Sequence, residues 1–161
     1  MKPNRIMFVC MGNICRSPTA EGVFRKIAAE RTELFNLEIE SSGTTGYHVG
    51  EPPDARSVST ASKRGYDLTS IRSRKLSKED LRRYDHILVM DNENLKNVIQ
   101  LAEDNNIGIE HIKLFLEFAE NEPTKEVSDP YYGGPSGFDD VIDLIESASH
   151  GFIKQLLESQ A

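Results

Sequence analysis

A thiol at Cys10 and a guanidinium at Arg16 mark where chemistry could reside, with Met11, Gly12, Asn13, Ile14 and Cys15 between them and Ser17 just beyond. Gly12 and Asn13 are residue types that tolerate left-handed backbone, so the stretch can curl until successive backbone N–H groups converge on one point. A helix beginning near Pro18 adds the positive end of its dipole there. Such a cradle suits a tetrahedral dianion. Cys10 beneath it is predicted to be a nucleophile, favoured as the thiolate by the helix end and by Arg16. Arg16 can fork onto two phosphoryl oxygens and stabilise the charge that spreads over them in the transition state. The Ser17 hydroxyl can donate to the Cys10 sulfur and ease its departure from a covalent intermediate, while Asn13 can fix the loop through side-chain to backbone bonds. A Cys and an Arg at this spacing also occur by chance, as a packed thiol and a salt-bridging cation. The whole string, an apolar strand before it and Ser17-Pro18 opening a helix after it, argues instead for attack on phosphorus.

The elements that must hold this loop can be read on either side of it. Ile6-Met7-Phe8-Val9 is continuously apolar and predicts a strand buried on both faces. Ala20, Val23, Phe24, Ile27 and Ala28 recur on one face of the helix from Pro18, a residue well tolerated in a first turn. A second strand is expected over Leu37 to Ser41, ended by Ser42-Gly43. The run from Thr44 to Pro53 reads as a surface loop. Asp54 can cap a helix reaching Lys63 or Arg64 and stopped by Gly65. Ser77 and Asp80 form a capping-box pattern for a short helix through Leu81. His86 to Met90 is the third strand, followed by a helix opened at Asp91 or Asn92 and running to about Glu103. Ile112 to Phe115 is the fourth strand. A turn-rich stretch from Ser128 to Pro135 precedes a last helix carrying Val141, Ile142, Leu144, Ile145, Phe152, Leu156 and Leu157. Alternation of this kind predicts an α/β fold of three layers, a four-stranded parallel sheet with helices on both faces. Ligands of open α/β sheets bind beyond the carboxyl ends of the strands, where the 10–16 loop falls.

The 161 residues fit one domain spanning 1–161, large enough to bury a core without staples. A formal charge of -7 speaks against a nucleic-acid partner, so any attraction for an anion must be local to the cleft. No run is long enough for a signal peptide or a membrane span, and a cytoplasmic address is expected. Cys10 and Cys15 are the only thiols, and His48, His86, His111 and His150 are scattered singly, which predicts no disulfide framework, no metal site and no cofactor.

Phe8-Val9-Cys10-Met11-Gly12-Asn13-Ile14-Cys15-Arg16-Ser17-Pro18, with Ala20-Glu21 after it, resembles the N-terminal signature of the low-molecular-weight protein tyrosine phosphatases, and Asp129-Pro130-Tyr131-Tyr132-Gly133 resembles their general-acid loop. Ser41-Ser42-Gly43, Gly50-Glu51-Pro52-Pro53-Asp54 and Met90-Asp91 match in order and spacing, so the resemblance covers essentially the whole chain. It implies the strand order 2-1-3-4 and a metal-free hydrolase with a phosphocysteine intermediate. Cys10 would be the nucleophile, Arg16 the transition-state stabiliser and Asp129 the general acid and base. Residues 11–17 would bind phosphate. Phosphotyrosine-containing proteins and small aryl phosphates would be substrates, inorganic phosphate the product, and the enzyme a monomer or weak homodimer. Tyr131 and Tyr132 would wall a slot for the aromatic ring above Ile14, with Tyr47 on the opposite rim. Tyr131 and Tyr132 also resemble phosphorylation sites of some members. Cys15 would be the redox partner of Cys10, shielding it by a reversible disulfide. The Tyr132-Gly133-Gly134 run and the low cysteine count lean toward bacterial members.

One departure from the family pattern concerns the segment Ser70-Ile71-Arg72-Ser73, which lacks the His that many members place there to steady the loop Asn. Support for Asn13 is then expected from Ser42 or Ser70. Three neighbouring readings fit less well. Thioredoxin-coupled arsenate reductases need cysteines downstream of Cys15. Protein arginine phosphatases typically have Thr where Ile14 stands. A phosphate-binding module without turnover would have no use for both Cys10 and Asp129.

Overall fold

A computed structural model describes residues 4–132, 134 and 136–160, the side chain of Tyr132 excepted. The slot wall expected of Tyr132 therefore lies outside the described residues. Four strands, β1 (Asn4–Cys10), β2 (Leu37–Gly43), β3 (His86–Val89) and β4 (Ile112–Leu114), form one parallel sheet in the order β2-β1-β3-β4. The expected strand order holds. Five α-helices join them among the described residues: α1 (Arg16–Ala29), α2 (Ala55–Lys63), α3 (Lys78–Arg83), α4 (Asn92–Asp104) and α5 (Gly137–Gln160). Single 3₁₀ turns lie at Phe115–Phe118 and Pro130–Tyr132.

The pleat of β1 explains the layering. Ile6, Phe8 and Cys10 point to one face with Leu88 and Met90 and pack under α1 and α5; Met7 and Val9 point to the other with Ile87 and Val89 under α3 and α4. Ile6, Met7, Phe8 and Val9 are all fully buried, each contributing roughly 1.5–3 kcal/mol through burial of its side chain. Phe8 meets Phe24 and Phe115, and Phe24 meets Phe152, at ring-centre distances of 4.9–5.6 Å, so the aromatic core lies on the α1/α5 side.

Several boundaries differ from the sequence reading. Helix α1 starts at Arg16 rather than near Pro18, because Arg16, Ser17 and Thr19 are buried and bonded within the protein instead of forming a solvated loop. Strand β2 continues through Ser42 and Gly43, which pair in register with Val9 and Cys10. Phe115 leaves β4 to begin a 3₁₀ turn, while Met90 lies just past β3. The capping boxes at Ser77/Asp80 and Asp91/Asn94 close α3 and α4. No helix among the described residues is long and apolar enough to cross a membrane.

The chain runs from β1 outward to β2 and then returns past β1 to β3. The direction of winding therefore reverses between β1 and β3, and a crevice opens there beyond the strand ends.

Candidate active site

The loop joining β1 to α1 forms the floor of that crevice. Asn13 adopts φ +57 and turns its backbone N–H back onto the Cys10 sulfur at 3.3 Å, drawing the loop around the thiol. Gly43 makes the close approach possible: a Cβ there would lie 2.7 Å from the Met11 carbonyl oxygen and 3.1 Å from the Gly12 carbonyl carbon. The outer side of the loop is tied down by Thr44 N–H to Cys10 O at 2.9 Å, Thr45 N–H to Met11 O at 3.0 Å and the Ser73 hydroxyl to Gly12 O at 3.0 Å.

Asn13 is fully buried and its amide is saturated. Its Nδ2 donates to Ser17 Oγ (2.8 Å) and Ser41 Oγ (3.0 Å), and its Oδ1 accepts from the Arg74 backbone N–H (3.0 Å). Ser41 in turn donates to the buried Glu21 carboxylate at 2.6 Å, which Arg25 holds from its other oxygen at 2.9 Å. Burial raises the Glu21 pKa against these partners. The expectation that Ser42 or Ser70 steadies Asn13 is thus corrected. Ser41 lies two residues beyond Ile39 on the face under α1, whereas Ser42 faces the other way and its hydroxyl meets Met7 Sδ at 3.3 Å. Ile71, where many members have His, packs on the aromatic core instead.

Ser17 Oγ lies 3.1 Å from Cys10 Sγ. With its oxygen already accepting from Asn13, its hydroxyl proton can point at a thiolate or at the Ser42 carbonyl, 3.3 Å away. Arg16 is buried, with its NH1 held by Asp91 at 2.5 Å and by the Val127 carbonyl at 3.0 Å. Burial opposes its charge, but the nearby Cys10 and Asp91 outweigh it and raise the Arg16 pKa. Asp91 therefore caps α4 with one oxygen and steers Arg16 with the other.

A cleft of about 400 Å³ opens over this floor, lined by Cys10, Met11, Gly12, Ile14, Cys15 and Arg16 from the loop and by His48, Asp54, Asp129 and Tyr131 from two other segments. Asp129 stands half-buried at its edge, its Oδ1 accepting from the Tyr131 backbone N–H at 2.9 Å. Both cysteines are free and buried. Burial, eased by a hydrogen bond to Ser57, pushes the Cys15 thiol up to about 12, so it is protonated at neutral pH. Among the described residues no group of three or more His, Cys, Asp or Glu side chains is placed to hold a metal ion.

The sequence model of the low molecular weight phosphotyrosine protein phosphatases matches residues 5–161. The chain belongs to that family. The family's low molecular weight protein-tyrosine-phosphatase YfkJ of Bacillus subtilis is 36% identical over 154 residues, covering 96% of this chain and 94% of its own. A protein tyrosine phosphatase of Entamoeba histolytica, crystallised with Hepes in its active site, superposes with a TM-score of 0.90 at 36% identity over 98% of this chain and 99% of that one. A Drosophila arginine phosphatase superposes with 0.87 at 28% identity, over 97% and 98%. This phosphatase is accordingly a hydrolase of the protein-tyrosine-phosphatase class.

Of the residues singled out in the sequence, the fold gathers Cys10, Met11, Gly12, Ile14, Cys15, Arg16, Asp129 and Tyr131 into one cleft, with Asn13 buried behind the loop and Ser17 against the nucleophile. Tyr47 is not among them: its side chain is 85% exposed and does not line the cleft. His48 takes the rim position instead, over Gly12 and paired with Glu51. His48, Asp54 and Asp91 were missed as site residues. Asp54 and Asp91 read as helix caps and as parts of stretches that resemble the family, with no role at the site, and a lone His in a loop carries no signal of its own.

Proposed function

We propose that this phosphatase hydrolyses phosphotyrosine in proteins, and small aryl phosphates, through a phosphocysteine. The Cys10 thiolate attacks phosphorus in line with the leaving oxygen. As the S–P bond forms and the P–O bond breaks, protonated Asp129 passes its proton to the departing phenolate. Arg16 and the N–H groups of the 10–16 loop hold the equatorial oxygens. Water then attacks the thiophosphate, Asp129 takes a proton from it, and Cys10 leaves as a thiolate steadied by Ser17, releasing inorganic phosphate. The observation that carries this reading is the meeting of Cys10, Arg16 and Asp129 in one cleft, although 119 positions separate the first from the last.

Ile14 lines the same cleft with an aliphatic side chain and Tyr131 with a ring, which favours an aryl ester over a polar guanidinium phosphate. Oxidation belongs to the same reading. Peroxide converts Cys10 to the sulfenic acid, and the Cys15 sulfur then displaces water to close a disulfide that thiols reopen. A cytoplasmic, single-domain enzyme is the accompanying proposal.

The test is turnover of phosphotyrosine and phosphoarginine peptides in the presence of EDTA. Phosphotyrosine is expected to be preferred, and Cys10→Ser to abolish hydrolysis. Asp129→Ala should lower kcat/KM most for esters with a leaving group of high pKa, by roughly 10²–10⁴-fold. Full activity in Cys10→Ser, or preference for phosphoarginine, would overturn the reading.

A further inference from the structure

The acid and the phosphate cradle lie 119 positions apart in the chain, and the acid sits immediately before a single 3₁₀ turn, Pro130–Tyr132, whose Tyr131 is 62% exposed. A carboxyl carried at the edge of so short a turn needs a brace if it is to meet a leaving oxygen reproducibly. Arg56, the second residue of α2, spans the gap. Its guanidinium carbon lies 5.1 Å from the centre of the Tyr131 ring and 4.8 Å from that of Phe138 in the first turn of α5. On the other side its Nε and NH2 fork onto both oxygens of Asp54 at 3.1 and 3.0 Å.

Asp54 is itself fixed to the cradle. Its backbone N–H donates to the Ile14 carbonyl at 2.7 Å, and its carboxylate accepts the Arg56 backbone N–H at 2.8 Å as the cap of α2. Arg56 holds the Asp54 carboxyl below the usual carboxylate range, so the fork is charged at working pH. A continuous path therefore runs from Ile14 in the phosphate loop through Asp54 and Arg56 to Tyr131, whose N–H holds Asp129. Planarity matters at every joint. The guanidinium is the one cationic side chain that can fork onto a carboxylate and stack on an aromatic ring.

We propose that Arg56 is a positioning residue that clamps the 129–132 turn over the phosphate cradle and so sets the reach of Asp129 to the leaving oxygen. This rests on Asp129 being the general acid, and the experiment separates the two claims. kcat/KM, which reports the steps up to release of the phenol, is measured across aryl phosphates of graded leaving-group pKa for wild type, Arg56→Ala, Arg56→Lys, Asp129→Ala and the double variant Arg56→Ala/Asp129→Ala. Arg56→Ala is expected to lose about tenfold on the poorest leaving groups and little on the best, a pattern that general destabilisation of the fold would not produce. Arg56→Lys keeps the charge but neither the fork nor the stack, so it should behave like Arg56→Ala. The double variant should lose no more than Asp129→Ala alone.

A uniform loss in Arg56→Ala, full rescue by Lys, or additive losses in the double variant would overturn the clamp while a graded loss in Asp129→Ala left the acid in place. A flat profile for Asp129→Ala would overturn both. Thermal melting of each variant shows that the kinetics are read on folded protein.

Discussion

Ser17 shows how closely a single hydroxyl is assigned here. It accepts from Asn13 at 2.8 Å and lies 3.1 Å from the Cys10 sulfur, so the one proton it has to give goes to whichever acceptor is strongest. A thiolate outcompetes the Ser42 carbonyl, which lies 3.3 Å away. The sulfur is the leaving group of the second chemical step, and Ser17→Ala should therefore slow breakdown of the thiophosphate more than its formation. The expected outcome is a fall in kcat on the order of tenfold with a smaller change in kcat/KM, and accumulation of the phosphoenzyme in rapid-quench experiments with ³²P-labelled substrate. Equal losses in both constants would show that Ser17 serves the first step as much as the second. Cys10, Asn13, Arg16 and Ser17 could be picked out in the sequence because loop chemistry is local and each residue type there has few other uses. Ser41 could not. Its role depends on the phase of β2, and one extra residue of strand, Ser42, turns to the opposite face.

At the scale of elements, most of the architecture was visible because buried strands and amphipathic helices write their periods into the chain. Packing against a particular neighbour leaves no such period. Gly151 in α5 is the clearest case, since a Cβ there would lie 1.7 Å from the Phe118 carbonyl oxygen and 2.7 Å from its carbon. Both of those atoms are backbone, so the clash is relieved only by moving the helix away from the 3₁₀ turn at Phe115–Phe118. Phe118 and Phe152 meet beside it as tilted rings, 4.9 Å between centres, and would separate too. Gly151→Ala should destabilise the protein by about 1–3 kcal/mol, against the roughly 1 kcal/mol that Gly→Ala gains by propensity in a solvated helix. For a chain of this size that lowers the melting temperature by roughly 2–4 °C per kcal/mol. Neither residue lines the cleft, so activity per folded molecule should be kept. A melting point at or above that of the wild type would show that α5 shifts freely. The late start predicted for α1 has a related origin: Arg16 and Ser17 look like loop residues in sequence, and only their burial under Asp91, Val127 and Asn13 places them in the first turn.

For the whole molecule, the surplus of acidic groups matters less than the few ionisable side chains whose environment favours one form. On the acid side, burial against Phe152 lowers the His86 pKa below 6.5, and Asp80 is held below 3.8 because its bonds to Arg74 and Ser77 outweigh its burial. In both cases the unfolded chain binds more protons. Stability is therefore lost as pH falls below about 6.5, and again below about 4. Glu21 acts in the opposite sense, because burial raises its pKa and the folded state keeps a proton that the unfolded chain releases above 4.5. On the alkaline side, burial pushes Cys15 from 9.0, and Tyr66 from 10.0, up to about 12. The folded state then binds more protons, and stability falls as pH rises from about 9 toward 12. The slope for Cys15 is at most about 1.4 kcal/mol per pH unit, and less after solvent screening. Urea midpoints measured from pH 4 to pH 11 should trace a plateau near neutrality with a descending limb on each side. Cys15→Ala should flatten the alkaline limb without moving the acid one, because Ala has nothing to ionise in the unfolded chain. An alkaline limb equally steep in Cys15→Ala would assign that loss to Tyr66 or to general charge repulsion, and Tyr66→Phe distinguishes these, since only the first is relieved by removing the phenol.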